Sequence, residues 1–292
     1  MRNLSQLGEF GLIDVLKKYA PISKEVKKGI GDDAAVLAYN KKDYLLLTTD
    51  MLAEDVHFTR QMSAKGIGHK ALACSISDIA AMGGWPTFAV VSLGVSSQES
   101  VDFIKNIYQG IEKIARAYHV SVVGGDTIKT EKMIINVALL GQVEKTSLTT
   151  RDGARCGDRL FVTGPLGGSL KSSHHLNFMP RLEQARFLVK HFKPSAMMDI
   201  SDGLSGDLNH ILKASGVGVC LDEDMIPRNK GVGLEQALNE GEDFELLFTI
   251  EPKKARRLMD WQARNKVFYF YPIGTITSHA HERPRSKSFS HF

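Results

Sequence analysis

The chain has 292 residues, of which 43 % are hydrophobic and 24 % charged, as in an ordinary soluble globular protein. This composition excludes a disordered chain, a collagen-like chain and a small disulfide scaffold. Lys and Arg number 37 against 33 Asp and Glu, so the net charge is only +4 and does not indicate a nucleic-acid-binding protein. The length is about twice the commonest domain size, which favours two domains.

The apolar spacing predicts an amphipathic N-terminal helix that ends before Pro21, followed by the order strand, strand, helix, strand, helix, strand, strand. Runs of strands and helices in this order are typical of an α+β domain rather than of a doubly wound sheet. The predicted strands cover residues 34–39, 44–49, 87–95, 120–123 and 133–143, and the two later helices cover residues 65–82 and 101–118.

A polar, glycine-containing stretch around residues 146–158 predicts a domain boundary, which divides the chain into domains 1–145 and 146–292. The second domain repeats the mixture of strands and helices, so the predicted fold class is α+β with two α/β-type domains. Its predicted strands cover residues 159–163, 196–200, 217–221, 244–250 and 267–273, and its helices cover residues 181–192, 204–214 and 253–264.

The three cysteines are odd in number and show no CxxC spacing, which favours a reducing compartment over a disulfide framework or a thiolate zinc site. We expect all three, Cys74, Cys156 and Cys220, to be buried and unreactive. Acidic residues interrupt the N-terminal segment, so it does not resemble a signal peptide. The most apolar stretch, residues 79–95, is broken by glycines and a proline and is too short for a membrane span. We therefore predict a cytoplasmic protein with no membrane and no nucleic-acid partner.

Aspartates that stand beside glycines or directly after apolar strands are the chemically informative feature of the chain. The common nucleotide signatures, GxxxxGK[ST] and GxGxxG before a helix, are missing. A single aspartate of this kind is usually a turn former or a helix N-cap. Asp50, Asp126 and Asp199, however, each follow a strand that we predict to be buried, and ligand sites collect at the carboxyl ends of such strands.

Carboxylates that converge without a cation repel one another and raise each other's pKa. Mg²⁺ relieves this repulsion, because it prefers a few carboxylates together with waters and substrate phosphates as ligands. Glycines beside the carboxylates let phosphate oxygens approach the backbone N–H groups. The pattern therefore predicts magnesium-dependent phosphoryl chemistry on a fold without a Walker motif.

Seven motifs in one order resemble those of the thiamine-monophosphate kinase family. This family belongs to the superfamily of aminoimidazole-ribonucleotide synthetase, selenophosphate synthetase and the hydrogenase-maturation dehydratase. The similarity runs from Gly8 to Phe292. The motifs are GIGDD at 29–33, TTD at 48–50 with His57 seven residues on, SDIAAMG at 77–83, GGDT at 124–127, TR at 150–151, DISDG at 199–203 and GEDFEL at 241–246.

The resemblance implies an aminoimidazole-ribonucleotide synthetase-like fold and a homodimer in which the N-terminal sheets pack together. It also implies ATP-dependent phosphorylation of thiamine monophosphate to thiamine diphosphate with several Mg²⁺ ions. Transfer to a phosphate acceptor needs no strong base, because the attacking oxygen is already ionised near neutral pH. Metal ions and Arg151 would then screen the repulsion between the two anionic groups and position them.

The resemblance also implies roles for individual residues. The catalytic candidates are Asp126, Arg151 and Asp199. The magnesium ligands would be Asp33, Thr48, Thr49, Asp50, Asp78, Asp126, Asp199 and Asp202. ATP would contact Tyr108, Gly125, Asp126, Arg151 and Ser201, and thiamine monophosphate would contact His57, Glu242 and Phe289.

Other interpretations remain open at this stage. Tyr108 has the helical spacing of a core residue, and Arg151 could form a solvated ion pair with the adjacent Asp152. Glu240 stands where the family has a glycine, so we expect it to alter the substrate pocket or the local backbone angle. The alternative functions are an aminoimidazole-ribonucleotide synthetase-like ligase and a catalytically idle dimeric nucleotide-binding scaffold.

Overall fold

A six-stranded sheet forms the first half of the computed structural model, which describes residues 4–278 of the chain. The strand order is β1-β2-β3-β6-β4-β5, and every neighbouring pair is antiparallel except β4–β5, which is parallel. The strands are β1 (Val26–Lys28), β2 (Ala35–Ala38), β3 (Asp43–Ala53), β4 (Trp85–Val95), β5 (Ser121–Lys129) and β6 (Ile134–Glu144).

Two helices, α2 (Ala64–Ala81) and α3 (Val101–Ala117), accompany this sheet, and α1 (Leu4–Leu16) precedes it. Ile107, Ile111 and Ile114 form the buried stripe of α3, as its helical periodicity predicts. The two helices pack closely because a glycine stands at the contact. A Cβ on Gly68 would lie 1.9 Å from the carbonyl oxygen of Ile107, so only glycine permits this approach. The core therefore lies between the sheet and α2, which is buried along most of its length.

The opposite face of the same sheet is not covered by any described residue of the chain. Leu47, Met51, Phe88 and Val90 point out from it and are each 39–59 % exposed. The edge strand β5 is exposed at all nine positions. An apolar sheet face and an unpaired edge are the features that a partner molecule covers.

A five-stranded antiparallel sheet forms the second half, in the order β8-β10-β7-β11-β9. Its helices lie on both faces, α6 and α7 in one apolar cluster and α5 and α8 in another. The end of α2 joins the second cluster through Ala80 and Ala81 and so connects the two halves. The elements are β7 (Arg159–Val162), α4 (Ser169–Ser172), α5 (Leu182–His191), β8 (Ala196–Asp199), α6 (Leu204–Ser215), β9 (Gly218–Leu221), α7 (Leu234–Asn239), β10 (Leu246–Ile250), α8 (Pro252–Asn265) and β11 (Tyr271–Thr277).

The predicted α+β class is confirmed, and several local predictions are wrong. β3 continues to Ala53 and β5 to Lys129, so Asp50 and Asp126 lie within strands, and only Asp199 ends one. β5 is exposed rather than buried, because it is the edge strand of its sheet. β11 begins four residues later than predicted, at Tyr271.

Two further outcomes concern the thiols and membranes. Cys74 is buried as expected, whereas Cys156 and Cys220 are exposed, so the prediction of three buried thiols is wrong for two of them. None of the helices within residues 4–278 combines the length and apolarity that crossing a membrane requires. The division into domains 1–145 and 146–292 stays a prediction.

Candidate metal and phosphate site

Three carboxylates converge where the two halves of the chain meet. Asp33 lies in the loop before β2, Asp78 lies on α2, and Asp199 ends β8. One oxygen from each lies within 4.8 Å of the others. The three residues come from a loop, a helix and a strand that are far apart in sequence, so the junction between the two sheets creates this acidic triad, and no local segment does.

Hydroxyl groups orient these carboxylates. Thr48, on the inner face of β3, donates a 2.5 Å hydrogen bond to Oδ2 of Asp78. Ser77 on α2 donates a 2.6 Å hydrogen bond to Oδ2 of Asp199. Each bond fixes the side-chain rotamer, so the remaining carboxylate oxygens are held in position for a cation.

Asp50 belongs to the same acidic region. It lies one inward-facing position beyond Thr48 on β3, and its Oδ2 accepts a 2.6 Å hydrogen bond from Ser75 on α2. Burial raises its pKa to about 6, and the nearby Glu242 adds to that effect. The inner face of β3 thus presents two of the predicted magnesium ligands to α2.

The carboxyl groups of the triad hold protons more tightly than ordinary aspartates. Burial, and to a smaller extent the Asp33 carboxylate, raise the pKa of Asp199 to about 7. Burial and the neighbouring aspartates raise the pKa of Asp78 well above its usual value. The cause is the transfer of like charges out of water into one small volume. Such a cluster takes up protons or a cation near neutral pH.

The donor set fits Mg²⁺. All the atoms offered are carboxylate or hydroxyl oxygens, which hard divalent cations prefer. Oδ2 of Asp33 is buried and has no hydrogen-bond partner among residues 4–278. An unsatisfied buried carboxylate oxygen is costly unless a cation or another donor meets it, so this atom is a candidate metal ligand.

Arg151 borders the triad. Its Nη2 lies 2.5 Å from Oδ1 of Asp33, and its backbone N–H donates to the carboxylate of Asp32 at 3.3 Å. Asp152 instead pairs with Lys28 at 2.6 Å, so the solvated ion pair between Arg151 and Asp152 is not formed. The guanidinium, 18 % exposed, faces a cleft of about 920 Å³.

That cleft is large enough for a nucleotide and carries cationic side chains on its walls. It runs along the GIGDD loop and β3 on one side and along α6 on the other. Lys17, Arg151 and Lys213 contribute the positive charges, and Asp32, Asp33 and Thr48 contribute oxygens. A mixture of cations and metal-binding oxygens in one cleft is suited to a polyphosphate.

Asp207, which none of the sequence motifs includes, organises the loop after β8. Its Oδ2 accepts the backbone N–H groups of Ser201 and Asp202 at 3.0 and 3.1 Å, and the side chain is buried. These two hydrogen bonds attach the backbone of the loop at Ser201 and Asp202 to the first turn of α6. The available signal was an acidic residue in the first turn of a predicted helix, where carboxylates bind free N–H groups.

His57 and Glu242, the candidates for substrate binding, both contact the ammonium group of the buried Lys70. The Nζ of Lys70 lies 3.1 Å from the carbonyl oxygen of His57 and 2.6 Å from Oε2 of Glu242. Ala53 N–H donates to Nδ1 of His57 at 3.0 Å, so the ring carries its proton on Nε2 when neutral. Lys70 was also missed, although a lysine in an otherwise apolar helix is a visible signal.

Glu240 does not require a glycine-like backbone, since its φ is −76°. Its carboxylate accepts the N–H of Gly168 at 2.6 Å, while Asp243 accepts the N–H of Gly167 at 2.9 Å. The expected change of the local backbone angle stays a prediction. The side chain fastens the turn before α4 to the GEDFEL segment.

Other predicted site residues lie away from the triad. Thr49 points to the uncovered face of the sheet, where its Oγ1 lies 3.1 Å from Oδ1 of Asn136. The register places Asp126 opposite Ser92, Ser92 opposite Asn136, and Asn136 opposite Met51. Asp126 is thus three strands, about 14 Å, from Met51 and on the face opposite to Asp50.

Tyr108 and Gly125 belong to this second location. Tyr108, on α3, is 39 % exposed and lines a shallow cavity of about 240 Å³ together with Val122 of β5. The interpretation of Tyr108 as a core residue is therefore wrong, because much of the ring is accessible in the single chain. Phe289 lies outside the described residues.

The class of protein follows from the two halves and the oxygen-lined site between them. A family model described as AIR synthase related protein, N-terminal domain, matches residues 31–143, and the corresponding C-terminal domain model matches residues 155–287. The fold is therefore that of the AIR synthase related proteins, as the motifs predicted.

Three relatives narrow this class. The thiamine-monophosphate kinase of Aquifex aeolicus (strain VF5) is 38 % identical over 279 residues, which cover 86 % of this chain and 88 % of the relative. That of Bacillus subtilis (strain 168) is 36 % identical and covers 84 % of each chain. A solved structure described as AaThiL complexed with AMPPCP and TMP superposes with a TM-score of 0.88 at 34 % identity, over 100 % of this chain and 99 % of that one. The chain belongs to the thiamine-monophosphate kinase family, and the prediction of a kinase enzyme is confirmed.

Proposed function

We propose that this chain phosphorylates thiamine monophosphate to thiamine diphosphate with ATP and Mg²⁺. The observation that carries the proposal is the acidic triad, with its three oxygens within 4.8 Å and, beside it, the cleft that Lys17, Arg151 and Lys213 line. The likeness to a structure complexed with AMPPCP and TMP supports the same pair of ligands. The reaction would take place in the cytoplasm, and it would involve neither a membrane nor a nucleic acid.

Asp33, Asp78, Asp199, Asp50 and Thr48 would hold magnesium, with Asp202 completing the set from the loop after β8. Magnesium supplies charge neutralisation between the two phosphates and a template for their approach. Arg151 would release Asp33 and donate to a phosphate oxygen of ATP, a step made easier because the metal takes over the Asp33 charge. Ser201 would donate to the same nucleotide from the neighbouring loop.

The acceptor needs orientation rather than deprotonation, since its phosphate is already ionised near neutral pH. His57 would donate from Nε2, because Nδ1 already accepts the N–H of Ala53. Glu242 and Phe289 would complete the acceptor site. In-line transfer then needs only that the two phosphates be held in contact in a water-poor cleft.

We further propose a homodimer that uses the uncovered face and edge of the six-stranded sheet. The apolar side chains on that face are exposed in the single chain. The ATP candidates fall into two groups in a single chain. Arg151 lines the cleft and Ser201 lies in the loop after β8, whereas Tyr108, Gly125 and Asp126 lie on or beside the edge strand β5. Pairing of two sheets would allow the edge group of one copy to complete the cleft of the other.

The alternatives are less well supported. The curated relatives compared above carry the name of the kinase and not that of a ligase. An idle scaffold would have no reason to keep buried carboxylates together, because their mutual repulsion destabilises the fold when no cation is bound.

The direct test is an assay of the purified full chain with ATP, Mg²⁺ and thiamine monophosphate. We expect thiamine diphosphate and ADP in equal amounts, separated by chromatography, with no product when EDTA replaces Mg²⁺. The same preparation is given the substrate of aminoimidazole-ribonucleotide synthetase as a control. Absence of thiamine diphosphate from well-folded protein would contradict the proposal.

A further inference from the structure

We propose that Lys70 is a positioning residue that fixes His57 and Glu242 relative to each other as one acceptor-binding unit. This inference rests on the proposed function, because it assumes that these two residues meet thiamine monophosphate. Lys70 itself would not touch the substrate. Its side chain is only 1 % exposed, so its ammonium group acts on neighbours inside the protein.

The contacts of Lys70 join segments from both halves of the chain. Nζ donates to the carbonyl oxygen of His57 at 3.1 Å, in the loop that follows β3. The same atom lies 2.6 Å from Oε2 of Glu242, which precedes β10. A single buried cation therefore sets the separation between the His57 backbone in the first half and a carboxylate in the second.

The Glu242 end of this unit is held on its backbone as well. Its N–H donates to the carbonyl oxygen of Ser201 at 2.7 Å, and Ser169 Oγ donates to its carbonyl oxygen at 2.5 Å. The residue has a φ of +69°, which non-glycine residues seldom adopt. The segments around Gly241 and Ser201 approach closely only because residue 241 is a glycine. A Cβ there would lie 2.3 Å from the carbonyl oxygen of Ser201. With the backbone fixed in this way, the ion pair with Lys70 decides where the carboxylate points.

The charge of Lys70 is also needed where it lies. The Glu242 carboxylate lies close enough to Asp50 for the two negative charges to repel each other. A buried lysine between a carboxylate and a carbonyl oxygen compensates the negative end of this region, whereas an unpaired carboxylate there would turn away towards water. Loss of the ammonium group should therefore misplace Glu242 even if the fold survives.

The position of Lys70 on α2 connects the acceptor residues to the acidic triad. Lys70 and Asp78 are eight residues apart on one helix, about 12 Å along its axis and about 80° apart around it. One rigid helix thus carries both the anchor of the acceptor residues and a triad carboxylate. This arrangement fixes the distance between the two parts of the site.

The experiment compares Lys70→Met, Glu242→Gln and the double variant by steady-state kinetics. We expect Lys70→Met to raise the KM for thiamine monophosphate about tenfold, while the KM for ATP changes less than about twofold. The loss in the double variant should be smaller than the two single losses combined, because both changes act on the Glu242 carboxylate, while Lys70 also holds the His57 carbonyl oxygen. Lys105→Met, on the surface of α3 with its lysine 67 % exposed, is the matched control and should leave both KM values unchanged.

A second measurement does not depend on turnover. The ¹⁵N signals of the His57 imidazole in the substrate-free protein should shift in Glu242→Gln, because Lys70 transmits the change, and should not shift in Lys105→Met. The Glu242→Gln variant provides the test if Lys70→Met does not fold. Equal effects on both KM values, strictly additive variants or unshifted His57 signals overturn the inference. A wild-type protein without thiamine monophosphate turnover overturns the proposed function instead.

Discussion

The hydroxyl of Ser77 donates to Oδ2 of Asp199 at 2.6 Å, and the two residues are 122 positions apart in the chain. Ser77 lies on α2 of the first half, and Asp199 ends β8 of the second. The adjacent Asp78 supplies the carboxylate that meets Asp33 and Asp199 in the triad. The same turn of α2 thus joins the two halves and contributes to the acidic triad, so a shift between the halves would separate its carboxylates.

The metal-free protein should become less stable as the pH rises from about 6 to about 8. Burial raises the pKa of Asp199 to about 7, far above the usual value of 3.8, so the folded state binds more protons than the unfolded state in this range. The free energy of unfolding then falls with increasing pH. Burial lowers the pKa of His210 from 6.5 to about 4, so its opposite contribution continues to about pH 6.5 and fades in the upper part of this range.

Thermal denaturation in EDTA and in Mg²⁺ across this pH range measures the effect. Magnesium should raise the Tm most at pH 8, because it replaces the protons that the triad has lost. Asp199→Asn is the control and should weaken the dependence in EDTA, while Asp243, whose pKa burial also raises to about 7, keeps part of it. A Tm in EDTA that stays level or rises between pH 6 and 8 would contradict the cause we assign.

Two inactive variants should restore activity when they form mixed dimers. If the cleft of one copy is completed by the β5 edge of the other, a dimer of Asp126→Asn with Asp199→Asn has one intact site and one doubly altered site. Random mixing makes half of the dimers mixed, so about a quarter of the wild-type activity should return. The measurement is the rate after co-refolding equal amounts.

Mixing Asp199→Asn with Asp33→Asn is the control, because both changes lie in the same cleft and no intact site results. Recovery in this control, or none with Asp126→Asn, would mean that Asp126 does not act across the dimer.

Gly125 should tolerate no side chain, whereas its neighbour Gly124 should accept alanine. A Cβ on Gly125 would lie 1.8 Å from the carbonyl oxygen of Val91, so β4 and β5 would have to separate. A Cβ on Gly124 meets nothing closer than Val90 Cγ1 at 3.8 Å. We expect Gly125→Ala to lower the free energy of unfolding by about 3 kcal/mol and Gly124→Ala to change it by less than about 1 kcal/mol. Urea denaturation of both variants measures these free energies of unfolding. Similar decreases for the two variants would contradict the prediction and show that β4 and β5 adjust to the added methyl group.

Glu240→Gly should affect the acceptor more than the nucleotide. The substitution removes the carboxylate that accepts the Gly168 N–H at 2.6 Å and loosens the backbone two residues before Glu242. We expect the KM for thiamine monophosphate to rise severalfold and the KM for ATP to stay the same. Glu240→Gln keeps an acceptor oxygen and should lie close to the wild type. Equal effects on both KM values would place Glu240 outside the acceptor site.

Much of the architecture was predictable because it depends on local periodicity. The stripe of Ile107, Ile111 and Ile114 predicts α3, and the turn at residues 40–43 predicts the β2–β3 hairpin, which the structure confirms. The ends of β3 and β5 were not predictable. The TTD and GGDT segments have the composition of turns, but β3 pairs with β6 as far as Ala53, and β5 pairs with β4 as far as Lys129. Partner strands far away in the sequence supply these hydrogen bonds.

The sequence by itself determined the family, the fold class and the chemical type of the site. Motifs of aspartate, glycine and hydroxyl residues in a fixed order suffice for this, because residue type dictates which cation and which phosphate contacts are possible. Only the tertiary structure decided which carboxylates meet. It gathers Asp33, Asp78 and Asp199 at the junction, leaves Asp126 on an exposed edge and buries Lys70 between His57 and Glu242. Convergence and burial depend on how distant segments pack, and no local pattern encodes that packing.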